Sequence, residues 1–313
     1  MNILVTGACG FQGSHLTERL LGLGHNVFGL ALPSKHAHGN YAKYLAHHDN
    51  LEIVWGSVTD TVILDAIFSR GIELVFHLGA KINVDESLDR PLDYYSVNIL
   101  GTHNILTLAA HHGARVIMAS TCEVLGNNQH PPYPMDETHP LSPQSPYALS
   151  KLTADRMCAA FALTHDLNVQ VLRPFNIYGE RQKDHGKGAV IPILTVAAMH
   201  DKYLPVTGDG SQKRDYLHVS DVIEAYITVM EHERLPKGEV YHVGSGEEHS
   251  IREIADTIIE HVGKGKVWTM PSRPGDVMTF ACDPSKIQGL GWRQRVEFYS
   301  GLNRYIEWRK QQG

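Results

Sequence analysis

The sequence predicts an α/β chain built on a doubly wound parallel sheet, with a smaller, discontinuous C-terminal lobe. Three observations carry this expectation. Short β-branched runs alternate with helical stretches through the first half. The opening VTGACGFQGSHL sets Gly7, Gly10 and Gly13 between a first strand and a first helix. After Arg173-Pro174 the alternation stops, and residues 179–216 turn rich in Gly, Asp, Lys and Arg.

The elements follow in order. Ile3–Thr6, Asn26–Leu30, Glu52–Trp55, Leu74–Leu78, Val116–Ser120 and Val169–Leu172 read as strands. The stretches 14–22, 60–70, 92–112 and 146–166 read as helices. Strand–helix–strand alternation implies right-handed crossovers and a parallel sheet covered on both faces. Further on, 189–200 and 220–233 read as helices, Val240–Val243 as a strand rejoining the sheet, and 250–262 and 298–310 as helices. The expected organisation is a dinucleotide-binding domain over 1–172 with about 217–246. A substrate-binding lobe takes 173–216 and 247–313.

Bulk properties narrow the function classes. Net charge is −6, with 28 basic and 34 acidic residues scattered along 313 positions. No basic stripe speaks for nucleic acid or an anionic membrane. Cys9, Cys122, Cys158 and Cys282 are far apart and form no CxxC pair, which argues against a disulfide framework or zinc knuckle. The 20 histidines include the pairs His36/His38, His47/His48 and His111/His112. None has metal-ligand spacing, so surface histidine and no metal is the expectation. With no signal-type segment and no apolar run of spanning length, the expected location is cytoplasmic.

The glycine pattern GxxGxxG is weak evidence alone. At a strand–turn–helix junction it is strong: glycine allows the tight turn, close backbone approach to a pyrophosphate, and helix–strand packing. The sheet is therefore expected to be Rossmann-type, with NAD or NADP on this loop. The second strand ends Leu30-Ala31-Leu32, without the acidic residue that would hold the adenosine ribose, and Lys35 follows. The expectation leans to NAD and leaves NADP open.

Ser145-Pro146-Tyr147 opens a helix that carries Tyr147 and Lys151 four residues apart on one face. A lysine cation beside a phenol favours the phenolate and is expected to lower its pKa. Upstream, ASTCEVLG places Thr121, Cys122 and Glu123 where a strand ends. A carboxylate there can act as a base, and a thiol with a reference pKa of about 8.5 holds its proton at neutral pH. The bland alternative is a polar turn with a small packed cysteine.

TGACGFQG, HLGA (77–80), STCE (120–123), YALSK (147–151) and RPFNIYG (173–179) together resemble the extended short-chain dehydrogenase/reductase family. GDGSQKRDYLHVSD (208–221) and RPGD (273–276) fall in the same family order. The resemblance implies an NAD-dependent nucleotide-sugar epimerase or dehydratase with Thr121, Tyr147 and Lys151 as catalytic triad. It implies cofactor contacts from Gly7, Gly10, Phe11, Gln12, Gly13, Leu78, Ala80, Asn98, Tyr147 and Lys151. Substrate contacts fall to Asn176, Val190, Arg214, Arg273 and Asp276, with arginines on the diphosphate. It implies a homodimer paired through helices 92–112 and 146–166. Within the family, epimerases carry small residues after the triad hydroxyl, whereas 4,6-dehydratases commonly carry Thr-Asp-Glu and decarboxylases Thr-Ser-Glu. STCE is similar to the run in 5,6-dehydratases of UDP-N-acetylglucosamine, which oxidise C4, lose water across C5–C6 and return the hydride. A UDP-hexose is the implied substrate. An NAD(P)-sensing protein on the same fold is the competing class, against which the intact triad argues.

Overall fold

The structure is a computed structural model of the 313-residue chain, described at residues 1–33, 45, 48–127, 133–183, 189–272 and 277–312. Packing divides the chain into two units. The first comprises Met1–Gly126, Leu141–Pro174 and Ile223–Tyr241; the second comprises Asn127–Pro140, Phe175–Val222 and His242–Gly313.

The first unit begins with β1 (Asn2–Thr6), whose last four residues are all buried, as a central parallel strand requires. Next come α1 (Phe11–Gly22), β2 (Asn26–Ala31), β3 (Leu51–Trp55), α2 (Thr61–Phe68) and β4 (Leu74–His77). The Asp60 carboxylate caps α2 by accepting the Val62 and Ile63 N–H groups. Beyond β4 lie α3 (Val84–Asp89), α4 (Pro91–Tyr94) and α5 (Gly101–His112), then β5 (Arg115–Ala119), α6 (Pro146–His165) and β6 (Val169–Pro174). The stretch expected as one helix over 92–112 is interrupted by a π-helical turn at Tyr95–Leu100. α1 starts three residues before the expected 14, because Gly10 supplies its extended N-cap.

The second unit starts its own run with β7 (Asn176–Tyr178), α7 (Val190–Met199), β8 (Tyr203–Thr207) and β9 (Lys213–His218). α8 (Val219–Glu231) and β10 (Glu239–Val243) continue the chain, followed by β11 (Glu248–Ser250), α9 (Ile251–Val262), β12 (Lys266–Met270), α10 (Ser285–Gln288) and α11 (Phe298–Gln311). Strands β7, β8, β9, β11 and β12 were not expected. β7 and β11 are three residues long and β9 reads KRDYLH, so no β-branched run marks them.

The main sheet has the order β10-β6-β5-β4-β1-β2-β3. β1 pairs in parallel with both β2 and β4, so the chain reverses direction of travel between β1 and β4. In such sheets the loops after these two strands frame the ligand crevice. A core of Leu4, Val75, Ile105, Val116, Met118 and Val169 fills the helix–sheet layer. β11-β9-β7 and β12-β8 form separate small sheets, and α7, α9 and α11 share a core with Leu204, Tyr216 and Phe298.

Residues 127–140, 217–222 and 242–246, expected with the dinucleotide domain, belong to the second unit. Hydrogen bonds hold the first of these segments there: His242 N–H donates to Glu137 Oε1 at 2.6 Å, and Asp283 N–H to the Met135 carbonyl at 2.9 Å. Among the described residues no helix is long and apolar enough to cross a membrane.

Asp215 on β9 ties this unit together. Its carboxylate accepts the Ser245, Gly246 and Cys282 N–H groups and the Ser245 hydroxyl, at 2.6–3.1 Å. Burial still pushes its pKa up to about 6, against those hydrogen bonds. Asp215→Ala strands these donors, so it should lower unfolding stability by about 3 kcal/mol or more in urea titrations.

Candidate active site

Gly7 begins the loop after β1 at φ +72°, in the left-handed region, and its N–H donates to the Leu30 carbonyl at 2.8 Å. A methyl at Gly7 would lie 3.1 Å from the Gly79 Cα, and one at Gly13 would collide with the Gly7 carbonyl oxygen. The loops after β1 and β4 thus meet backbone to backbone. Gly10 N–H donates to the Gly7 carbonyl and Ser14 N–H to the Gly10 carbonyl, which turns the chain into α1. Half-buried Phe11 and Gln12 open that helix, and Gln12 Oε1 accepts the Tyr226 hydroxyl at 3.2 Å. The cradle has the shape a pyrophosphate needs: no Cβ, and a helix N-terminus facing it.

Beneath the crossing runs a buried polar chain that the sequence reading missed. Thr6 Oγ1 accepts the Gly79 N–H at 2.8 Å and shares a 2.8 Å hydrogen bond with His77 Nδ1. His77 Nε2 lies 3.1 Å from Thr102 Oγ1, which donates to the Asn98 carbonyl. Thr102 therefore accepts from His77, making the imidazole a neutral Nε2–H tautomer. Burial and then the nearby Lys151 charge depress His77 to about 3, so it stays neutral. Leu78 and Ala80 lie half-buried in the loop just above.

Asn98 sits in the π-helical turn, where its amide bridges elements. Its Oδ1 accepts the Lys81 N–H at 2.8 Å, and its Nδ2 donates to the Lys81 carbonyl and to Ser150 Oγ. Both amide hydrogens are thus committed within the protein. Ser150 Oγ in turn donates to the Tyr147 carbonyl at 2.7 Å, linking the turn to α6.

Ser145 caps α6 through the Ala148 N–H, and Pro146 occupies the first turn. Tyr147 and Lys151 are 8% and 5% exposed. Thr121 Oγ1 accepts the Glu123 N–H at 3.2 Å and hydrogen-bonds the Tyr147 phenol. Cys122–Leu125 form a 3-10 turn in which Cys122 is 4% exposed while Glu123 is exposed. The structure therefore gathers Thr121, Cys122, Glu123, Tyr147 and Lys151 at the end of β5.

The electrostatics differ from expectation. Burial pushes the Tyr147 phenol up; the Thr121 hydrogen bond opposes this, while Glu123 and Cys122 raise it further. Lys151 Nζ donates to the Ala119 carbonyl at 2.6 Å. The expected lysine-lowered phenol is thus overturned here: desolvation dominates, and the group that lowers the phenol is Thr121. Burial lowers Lys151 itself to about 8, with Asp155 and Cys158 opposing.

In the second unit, Asn176 Nδ2 donates to the Asp215 carbonyl at 3.1 Å. The Arg214 guanidinium donates to the Lys213 and Val277 carbonyls at 2.8 and 2.6 Å. Val190 is the first residue of α7. Arg273, Asp276 and Lys35 lie outside the described residues, as do His36, His38 and His47.

A doubly wound sheet, a glycine cradle at its switch point and a Tyr/Lys helix beside a Thr-bearing turn define a dinucleotide-dependent oxidoreductase-type site. The family model described as GDP-mannose 4,6 dehydratase matches residues 4–305. The chain belongs to this family, within the extended short-chain dehydrogenase/reductases that include NAD-dependent nucleotide-sugar epimerases and dehydratases. It is 34% identical over 320 residues to dTDP-glucose 4,6-dehydratase of Streptomyces niveus, covering 98% of this chain and 92% of that one. UDP-glucose 4-epimerase of Thermotoga maritima, solved with UDP-glucose, superposes with TM-score 0.91 at 30% identity, covering 100% and 99% of the two chains. dTDP-glucose 4,6-dehydratase of Streptomyces venezuelae, with NAD bound, gives 0.89 at 31% identity, covering 99% and 97%.

Between pH 8 and 10.5 the unfolded chain keeps a proton that folded Lys151 releases, so stability rises with pH through that window. Below it the penalty of the buried ammonium is fully present. Lys151→Met should therefore stabilise the fold by about 2–3 kcal/mol at neutral pH, with the gain shrinking as pH rises, in chemical denaturation across a pH series.

Proposed function

We propose that the protein is an NAD-dependent dehydratase of a UDP-hexose. It transiently oxidises C4, eliminates water across C5–C6 and is redox-neutral overall, with UDP-N-acetylglucosamine as the fitting substrate. The observation that carries this reading is the 3-10 turn that presents the exposed Glu123 carboxylate beside the buried Thr121–Tyr147 pair. An epimerase needs no acid or base beyond its phenol; a carboxylate at this position serves chemistry that continues past C4.

The glycine cradle of Gly7, Gly10 and Gly13 fits a dinucleotide, and the NAD-bound Streptomyces relative supports NAD over NADP. Ala31 ends β2 without a carboxylate for the ribose. Held by the Gly7–Gly13 cradle, NAD would supply a reversible hydride acceptor for C4. Tyr147 removes the proton of the C4 hydroxyl, and Thr121 holds the phenol in place. The Lys151 charge favours the phenolate against the burial that opposes it. Glu123 then takes the C5 proton, acidified by the adjacent ketone, as the C6 hydroxyl departs. The Cys122 thiol gives that leaving group its proton and regains one from Glu123, so the step closes with one water lost. Asn176, Arg214 and Arg273 bind the diphosphate, with Asp276 near the ribose. Helices α5 and α6 form the face of a homodimer.

A 4-epimerase is the second reading, favoured by the Thermotoga neighbour. Incubation with UDP-N-acetylglucosamine and NAD, followed by mass spectrometry and NMR, separates the two. The proposal expects a product lighter by one water, bearing an exocyclic 5,6-alkene and no C4 ketone. Glu123→Gln should reduce its formation about 10²–10⁴-fold. An epimerised sugar of unchanged mass, made equally well by Glu123→Gln, would refute it; a 4-keto-6-deoxy product would move the enzyme to the 4,6 type.

A further inference from the structure

One turn beyond Lys151 on α6, the same helix face carries Asp155. It is 3% exposed and forms a buried ion pair with Arg173 of β6, Nε to Oδ2 at 2.7 Å. Its other oxygen, Oδ1, is buried without a hydrogen-bond partner among the described residues. A carboxylate oxygen left unanswered in a dry layer is unfavourable unless its charge acts on something nearby. Besides Arg173, the charge it acts on is the Lys151 ammonium, which donates to the Ala119 carbonyl.

We propose that the Asp155–Arg173 pair is a positioning device for Lys151, in which the unbonded Asp155 oxygen holds the ammonium charged inside a desolvated site. Arg173 draws the other oxygen toward β6 and keeps Asp155 from closing onto Lys151, so the ammonium stays aimed at the reaction centre. The groups facing Lys151 from the neighbouring elements fit this assignment. On α6 itself these are Tyr147, Asp155 and the Cys158 thiol, the last donating to Met118 Sδ at 3.2 Å. From β4 comes His77, neutral through its bonds to Thr6 and Thr102. β5 contributes the Ala119 carbonyl dipole. Asp155 is the negative partner among them, and its field opposes the burial that lowers Lys151 to about 8.

The inference rests on the reading of Lys151 as the charge that favours the Tyr147 phenolate, and its test is independent of turnover. Asp155→Asn alone strands a buried guanidinium, so the double variant Asp155→Asn/Arg173→Met, which removes both charges, is measured beside it and beside Asp155→Glu. Protein labelled with ¹³C at lysine Cε is titrated by NMR, with the Lys151 signal assigned from its loss in Lys151→Arg. The double variant should stay folded while its Lys151 midpoint falls by about one pH unit or more. Asp155→Glu should keep the parental midpoint, and the Tyr147 phenolate absorbance, taken as a difference against Tyr147→Phe, should move to higher pH in the double variant. A folded double variant with the parental Lys151 midpoint would overturn the proposal, as would one that no longer folds, since the pair would then be a folding element. Turnover that persists in Lys151→Met would instead sink the catalytic reading and leave the titration result standing.

Discussion

At the switch point of the main sheet two loops touch through bare backbone, Gly7 against Gly79, with Gly13 tucked under the Gly7 carbonyl. That approach fixes where α1 starts and how the loop after β4 runs. It survives because Thr6 and His77 satisfy the polar groups below it, with His77 held neutral by burial. A charged imidazole there would place a second buried cation near Lys151. The same chain continues through Thr102 and Asn98 to Ser150, so the cradle and the Tyr147 helix are parts of one hydrogen-bonded frame.

That frame holds Tyr147 and Lys151 in a dry layer. Burial pushes the Tyr147 phenol up and Lys151 down, so both lean toward their neutral forms. The proposed catalysis needs the opposite, and the counterweights are local: Thr121 on the phenol, Asp155 under the lysine. Glu123 differs, standing exposed on the turn with its own N–H tied to the Thr121 hydroxyl. A base that must release its proton to solvent after each cycle suits such a position.

Much of this was legible in the sequence. The glycine loop, the capped Tyr/Lys helix and all seven strands of the main sheet follow from turn chemistry, capping and β-branched runs, which act locally. The small strands of the second unit escaped because KRDYLH and EHS form pairs through tertiary context, anchored by Asp215 rather than by propensity. The break in the 92–112 helix escaped because a π-turn leaves no residue signature, although Asn98 is what uses it. Arg173 reads as a motif residue, but its partner Asp155 emerges only once β6 lies against α6; the signal was a carboxylate four residues after the lysine. The phenol's direction of shift was misread, because spacing shows the neighbour's charge and not the solvent removed around it.

In the proposed reaction, chemistry runs past C4 to C5 and Glu123 takes the C5 proton. The most direct measurement is release of label to water from UDP-N-acetylglucosamine tritiated at C5, followed over a single turnover. Release in step with product is expected from the parent enzyme, and none from Glu123→Gln. Product formed with the tritium still on C5 would contradict it.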